Sequence, residues 1–202
     1  MPIVTKSQSL RQSCQSEEPP LKSVGVIGSR NLPSSWEESV GDVVEDLIGR
    51  GYHIASGGAI GADAYVLERL LRLGLGDHGT VYAAWKNYHG FPVKVRAMMR
   101  QFKEAGGSVI WGVSSGAENP GLIRAALLLR NQTLVSACYG LVAFVTAESR
   151  GSLFTLQKAV SKHQPVVVFP CDGDLPHLPS VKWVKLKCGG CWDGAFKAVY
   201  LR

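Results

Sequence analysis

From Val24 to Phe169 short apolar runs alternate with amphipathic stretches, and no other feature restricts the fold so strongly. Val24-Gly-Val-Ile27 is a short run with the character of a buried strand, closed by Gly28-Ser29-Arg30. Tyr52–Ala55, Thr80–Ala84, Ser108–Trp111, Leu141–Val145 and Val166–Phe169 repeat the pattern. The stretches between them carry helix punctuation. Ser35 and Glu38 have capping-box spacing ahead of a helix that runs to about Arg50, before Gly51. The turn Ser56–Asp63 leads into a helix to about Leu73. Pro92 opens a basic helix to about Ala105, and Asn119-Pro120 places an N-cap and a first-turn proline before a helix to about Cys138. Ser152–Lys162 is the last of the set. Strands and helices alternating at this spacing need a parallel sheet covered on both faces. Right-handed crossovers then give a Rossmann-like, doubly wound, mostly parallel α/β sheet in a single domain.

Residues 1–22 hold Ser-Gln-Ser and end on Glu17-Glu18-Pro19-Pro20, which reads as a flexible N-terminal tail. The α/β domain is expected over 23–170. Residues 171–202 are expected to form a C-terminal extension packed on it. Within this extension Val181–Leu186 alternates apolar residues with lysine, as an edge strand facing water does. Ala195–Leu201 fits a short helix or a strand equally well.

No apolar run approaches the roughly 18 residues of a membrane span. With 46% hydrophobic residues and a net charge of +6, a disordered chain is also excluded. The first twenty residues lack a secretory apolar core. The five cysteines are odd in number and irregularly spaced, as reduced thiols in a cytoplasmic protein are. Charge is segregated. Residues 1–85 carry seven Lys/Arg against ten Asp/Glu, a balance of −3, while residues 86–202 carry fifteen against six, or +9. A basic face of this kind suits a phosphate-bearing partner, although a solvated surface has the same composition.

In an open parallel sheet ligands collect beyond the carboxyl ends of the strands. Small and polar residues gather there at Gly28-Ser29-Arg30, at Ser56-Gly57-Gly58 through Gly61 to Asp63, and at Thr146 through Gly151-Ser152. Arg130-Asn131 lies in the helix that precedes the fifth strand. Two glycine-rich helix openings beside two arginines make a phosphate-binding edge. No Gly-Lys-Ser/Thr follows either turn and the Gly-x-Gly-x-x-Gly fingerprint is missing, so neither triphosphate hydrolysis nor dinucleotide binding is indicated. Trp85, Tyr88 and Phe91 alternate with Lys86, Lys94, Arg96, Arg100 and Lys103. That pattern fits a base-stacking groove and equally a basic helix over an aromatic hinge. Cys188-Gly-Gly-Cys191 is a lone pair, and tetrahedral zinc would need two more ligands, for which Cys171 and His177 are the candidates. The default is a reduced turn with no metal.

Val24-Gly-Val-Ile-Gly-Ser-Arg30, Ala55-Ser-Gly-Gly-Ala-Ile-Gly-Ala-Asp-Ala64, Arg130-Asn-Gln132 and Ser149-Arg-Gly-Ser152 resemble, in order and spacing, the blocks of the DprA/Smf DNA-processing proteins. That family belongs to the wider SLOG group of Rossmann-like nucleotide-binding domains, and the resemblance spans about residues 24–169. It implies a non-catalytic protein without cofactor or metal that binds single-stranded DNA through its backbone. The residues implied are Gly28, Ser29, Arg30, Ser56, Gly57, Gly58, Gly61, Asp63, Arg130, Asn131, Gly151 and Ser152. Lys94, Arg96 and Arg100 would extend the groove. It further implies a recombinase partner, a homo-oligomer and a cytoplasmic, membrane-free location. Two positions depart from the family pattern: Ile60 and Gln132 stand where it carries arginine, removing positive charge from the expected pocket. Those losses lean towards the alternative, a SLOG-type binder or N-glycosidic hydrolase of a nucleotide-derived small molecule, for which Glu148 is a lone carboxylate near the same edge.

Overall fold

The structure, a computed structural model, describes residues 22–201; the expected N-terminal tail lies outside them except for Lys22. Eight strands form one sheet: β1 (Ser23–Gly28), β2 (His53–Ser56), β3 (Gly79–Tyr82), β4 (Ser108–Ile110), β5 (Gly140–Val145), β6 (Val166–Pro170), β7 (Val181–Lys185) and β8 (Phe196–Tyr200). Their order is β4-β3-β2-β1-β5-β6-β8-β7. The first six are mutually parallel, and β8 and β7 close one side antiparallel. The helices are α1 (Glu37–Gly49), α2 (Ala62–Arg72), α3 (Val93–Glu104), α4 (Pro120–Ala137) and α5 (Arg150–Ser161).

The sheet separates two cores. On one face α1, α2 and α3 bury Val40, Val44, Leu67, Leu70, Met99 and Phe102 against Val26, Ile54 and Val81. On the other, α4 and α5 set Leu134, Val135 and Leu156 over Ile27, Ala143 and Val168. Every residue of β5 is buried, as a strand covered on both faces requires. Phe144 and Phe169 stack at 4.5 Å on neighbouring strands, with Trp36 edge-on to both.

The chain runs from β1 outward through β2 and β3 to β4, then returns through α4 to place β5 on the other side of β1. The reversal in strand order therefore falls between β1 and β5. That boundary is where an open α/β sheet leaves a crevice.

One sequence expectation fails at the residue level and two others resolve. Ser35 and Glu38 form no capping box: Ser34–Trp36 is a 3-10 turn, α1 starts at Glu37, and its N-cap, Trp36, makes no side-chain cap. Glu38 instead turns to Arg69 and Arg72 of α2. Arg69, almost fully buried, gathers Glu38, Asp42 and Glu45, so a cation sunk between two helices outbids a helix cap. Ala195–Leu201 resolves as the strand β8, paired between β6 and β7. Val181–Lys185 is the edge strand, with Lys182 and Lys185 exposed.

Candidate nucleic-acid interface

At the switch between β1 and β5 the two strand ends are tied by hydrogen bonds. Gly28 is needed for their approach: a Cβ there would stand 2.3 Å from the Phe144 carbonyl oxygen. The Ser29 amide donates to that same carbonyl at 2.8 Å. The Thr146 hydroxyl donates to Ser29 Oγ at 3.1 Å and lies 2.9 Å from Ser149 Oγ. Ser29 also accepts from the Asn31 amide. This buried hydroxyl chain holds the crevice floor rigid, so Ser29 acts as a strut between the loops.

The glycine-rich turn after β2 is packed inwards. Ala62 donates its amide to the Ser29 carbonyl at 3.2 Å, and the Ala59 amide donates to Asp63 Oδ2 at 3.1 Å. Ser56, Gly57, Gly58 and Gly61 are absent from the crevice lining. Gly58 faces Val81, Phe91 and Met99 on the α3 side. At Gly57, whose backbone φ is ordinary, a Cβ would lie 1.3 Å from Nη1 of Arg130. The bare backbone is thus the bed on which the Arg130 guanidinium rests.

Arg130 and Asp63 form a buried pair, Nη1 to Oδ2 at 3.7 Å, with side chains 8% and 6% exposed. Burial pushes the Asp63 carboxyl above its usual range, against the pull of Arg130 and of the Ala59 amide. Arg130 keeps its proton regardless, and its Nε has no acceptor among the described residues.

The crevice above this pair has a volume of about 470 Å³. Of the residues expected from sequence, Gly28, Ser29, Arg30, Asp63, Arg130, Asn131, Gly151 and Ser152 line it. Arg124 and Arg150 join them, making four arginines against the two carboxylates Asp63 and Glu148. Arg124 was legible in principle. Arg124, Leu127, Leu128 and Asn131 recur at i, i+3, i+4 and i+7, the face of α4 turned to the crevice. Across from it, α5 opens at Arg150, Gly151 and Ser152, whose first-turn amides have no partner inside the helix. Anions collect at such an end.

Lys94, Arg96 and Arg100 lie on α3 and line no part of the crevice. Arg96 donates to the carbonyls of His89 and Phe91 at 2.9 and 3.2 Å, holding the hinge before α3. Arg100 sits over the Tyr88 ring. Ile60 and Gln132 also lie outside the lining, so arginine's absence there leaves the crevice cations in place. Among the described residues no three His, Cys, Asp or Glu side chains are placed to hold a metal ion. Burial pushes the Cys138 and Cys171 thiols up to about 12.

The loop ahead of α4 is organised by Glu118, which accepts from the Ser115 and Gly116 amides and the Ser114 and Ser115 hydroxyls at 2.7–3.0 Å. These donors pull its carboxyl down to about 2. A depressed carboxylate stabilises the fold above its unfolded value of 4.5 and loses that contribution as pH falls towards 2. Amide shifts of Ser115 and Gly116 should therefore titrate near pH 2; a midpoint near 4.5 would show that the loop does not hold Glu118.

The family model described as DNA recombination-mediator protein A matches residues 13–179, most of the chain and all of the crevice. The chain belongs to that family. Among solved structures, DNA processing protein A from Streptococcus pneumoniae is 24% identical with a TM-score of 0.60; the match covers 74% of this chain and 50% of that one. DNA processing protein A from Helicobacter pylori, described with a single-stranded DNA binding mode, is 19% identical with a TM-score of 0.59, covering 75% and 66%. These likenesses are of fold, and the chain spans between half and two thirds of the length of those relatives. No curated protein sequence matches it. Within this DNA recombination-mediator protein A fold, the sequence blocks at Arg30, Arg130 and Ser149–Ser152 converge on one crevice. Among the described residues no helix is long and apolar enough to cross a membrane.

Proposed function

We propose that the crevice binds single-stranded DNA by its backbone in DNA processing or recombination. The observation that carries this reading is the meeting of Arg30, Arg124 and Arg150 with the opening of α5 at the strand-order switch, in a chain of this family. Arg30, Arg124 and Arg150 are exposed, and each guanidinium can take a phosphate bidentately. The Gly151 and Ser152 amides add neutral donors. Backbone contacts of this kind carry little base information. Arg130 is a positioning residue, set beneath the phosphate path with its charge matched by Asp63. Lys94 would extend the path, with Arg100 from its place over Tyr88, whereas Arg96 serves its own hinge. Hand-over of the strand to a recombinase, a homo-oligomer and a cytoplasmic location belong to the same reading; light scattering and pull-down with the recombinase examine the first two.

The test is fluorescence anisotropy of a labelled single-stranded oligonucleotide with the full chain across a salt series. Affinity should fall with a log–log slope of about 0.7 for each phosphate neutralised. Arg30→Ala should weaken binding by about 1.5–3 kcal/mol, the range for a hydrogen bond to a charged group. Absence of binding at low salt, or an affinity indifferent to salt, overturns the reading. A nucleotide retained in native mass spectrometry by a chain that binds no oligonucleotide would replace it with the small-ligand alternative.

A further inference from the structure

A separate hollow, of about 280 Å³, lies at the opposite edge of the sheet from the crevice, where β1 and β5 begin. Val24 and Gly140 line it at the strand starts, with Leu47 from α1 and Leu186 from the C-terminal extension. Three aromatic rings, Tyr52, Tyr139 and Trp192, complete its walls. Trp192 is fixed in place: its indole N–H donates to Asp46 Oδ2 at 2.9 Å and its ring stacks on Phe169 at 6.1 Å. Among the described residues the lining carries a single charged side chain, Arg50, which is 56% exposed and pairs with Asp46 at 2.7 Å.

The chain enters β1 beside two of these rings. The Lys22 carbonyl accepts from the His53 amide at 3.1 Å, next to Tyr52, and the Ser23 carbonyl accepts from the Tyr139 amide at 2.8 Å. Lys22 Nζ sits over the Tyr139 ring at 4.6 Å. Immediately ahead stand Glu17-Glu18-Pro19-Pro20-Leu21, inside the stretch that the family model matches.

We propose that the hollow is the seat of this chain's own segment Glu17–Leu21, with the prolines against the aromatic walls and the two glutamates towards Arg50. Reach is guaranteed by the covalent chain, because Pro20 precedes Lys22 by two residues and lies within about 7 Å of it. Chemistry agrees: paired prolines favour the extended polyproline helix, which loses little freedom on docking and is recognised by aromatic-lined grooves. Size agrees as well. A cavity of roughly 150 Å³ admits benzene, and this one is large enough for two five-membered rings. Charge is complementary, since Arg50 and the exposed Lys187, which lies between the lining residues Leu186 and Cys188, face the acidic end of the segment. A tethered segment also meets the hollow at an effective concentration in the millimolar range, well above that of a second copy in dilute solution. Seated there, it braces the start of β1, whose other end carries Arg30.

The experiment is nuclear magnetic resonance of the full chain. Backbone order parameters at Glu18 and Leu21, which flank the prolines and carry an N–H, should lie near about 0.85, as in rigid backbone. The Pro20 ring protons should show nuclear Overhauser contacts to Tyr139 and Trp192. Pro19→Ser with Pro20→Ser should remove the contacts and lower both order parameters below about 0.6, while the amides of β5 stay as they were. Values below about 0.6 in the wild type overturn the proposal, and so does order that persists in the double variant. Contacts seen only between labelled and unlabelled chains would assign the hollow to a second copy and overturn it too. None of these readouts involves DNA, so the crevice reading stands or falls separately.

Discussion

Replacing Asp63 with alanine is expected to destabilise the protein by about 3–5 kcal/mol, the cost of leaving one member of a buried ion pair without the other. Arg130 cannot escape that cost by losing its proton, since a guanidinium stays charged at any working pH. Its side chain is 8% exposed and rests on the Gly57 backbone, so water does not replace the carboxylate. The Ala59 amide loses its acceptor in the same step. Asp63→Asn separates the two contributions, because the amide oxygen still accepts from Ala59 while the charge is gone. Denaturant midpoints of the two variants and the wild type check this. A loss below 1 kcal/mol in Asp63→Ala would mean that Arg130 finds another partner, and the fixed floor assigned to the crevice would be wrong.

The buried pair also shows where sequence reading succeeds and where it stops. Strands β1 to β6 were legible because each is a short apolar run bounded by turn residues. Helix α4 was legible because Asn119 and Pro120 act locally, and Asn119 does accept from the Leu122 amide. The doubly wound topology follows from that alternation, and with it the crevice between β1 and β5. Position within the rim was not legible. A glycine turn open to a phosphate and one packed against a guanidinium have the same local sequence. Gly57 and Gly58 proved to be of the second kind, filled by Arg130 on one side and by Phe91 and Val81 on the other. Likewise Ser35 and Glu38 have the spacing of a cap, and only the approach of α2 with Arg69 determines that Glu38 turns away. The placing of β8 between β6 and β7 is a long-range pairing that no local pattern encodes.

Gly57→Ala should destabilise less than Asp63→Ala at neutral pH, and its deficit should shrink as the solution is made acidic. The backbone φ at Gly57 is ordinary, so the effect comes from the new methyl, which would stand 1.3 Å from Nη1 of Arg130 and 2.7 Å from Oδ2 of Asp63. The guanidinium is the movable end of a long side chain and gives way first. What stays behind is the Asp63 carboxylate, buried and without its cation. Unlike an arginine, a carboxyl can neutralise itself by taking up a proton, and burial already raises its pKa in the intact pair. Removing the pull of Arg130 raises it further. A carboxyl whose folded pKa lies above its unfolded value of 3.8 costs stability at pH above the folded value. That cost is relieved as pH falls through the folded pKa towards the unfolded one, because the folded state then binds the extra proton. Denaturant midpoints of Gly57→Ala and the wild type should thus draw together as pH falls from neutral towards the unfolded value of 3.8, with the larger deficit at the higher pH. Equal deficits at neutral and acidic pH would show that the methyl strains the turn itself and leaves Arg130 where it was. In the double variant with Asp63→Ala the losses should be smaller than additive, since both substitutions break the same pair.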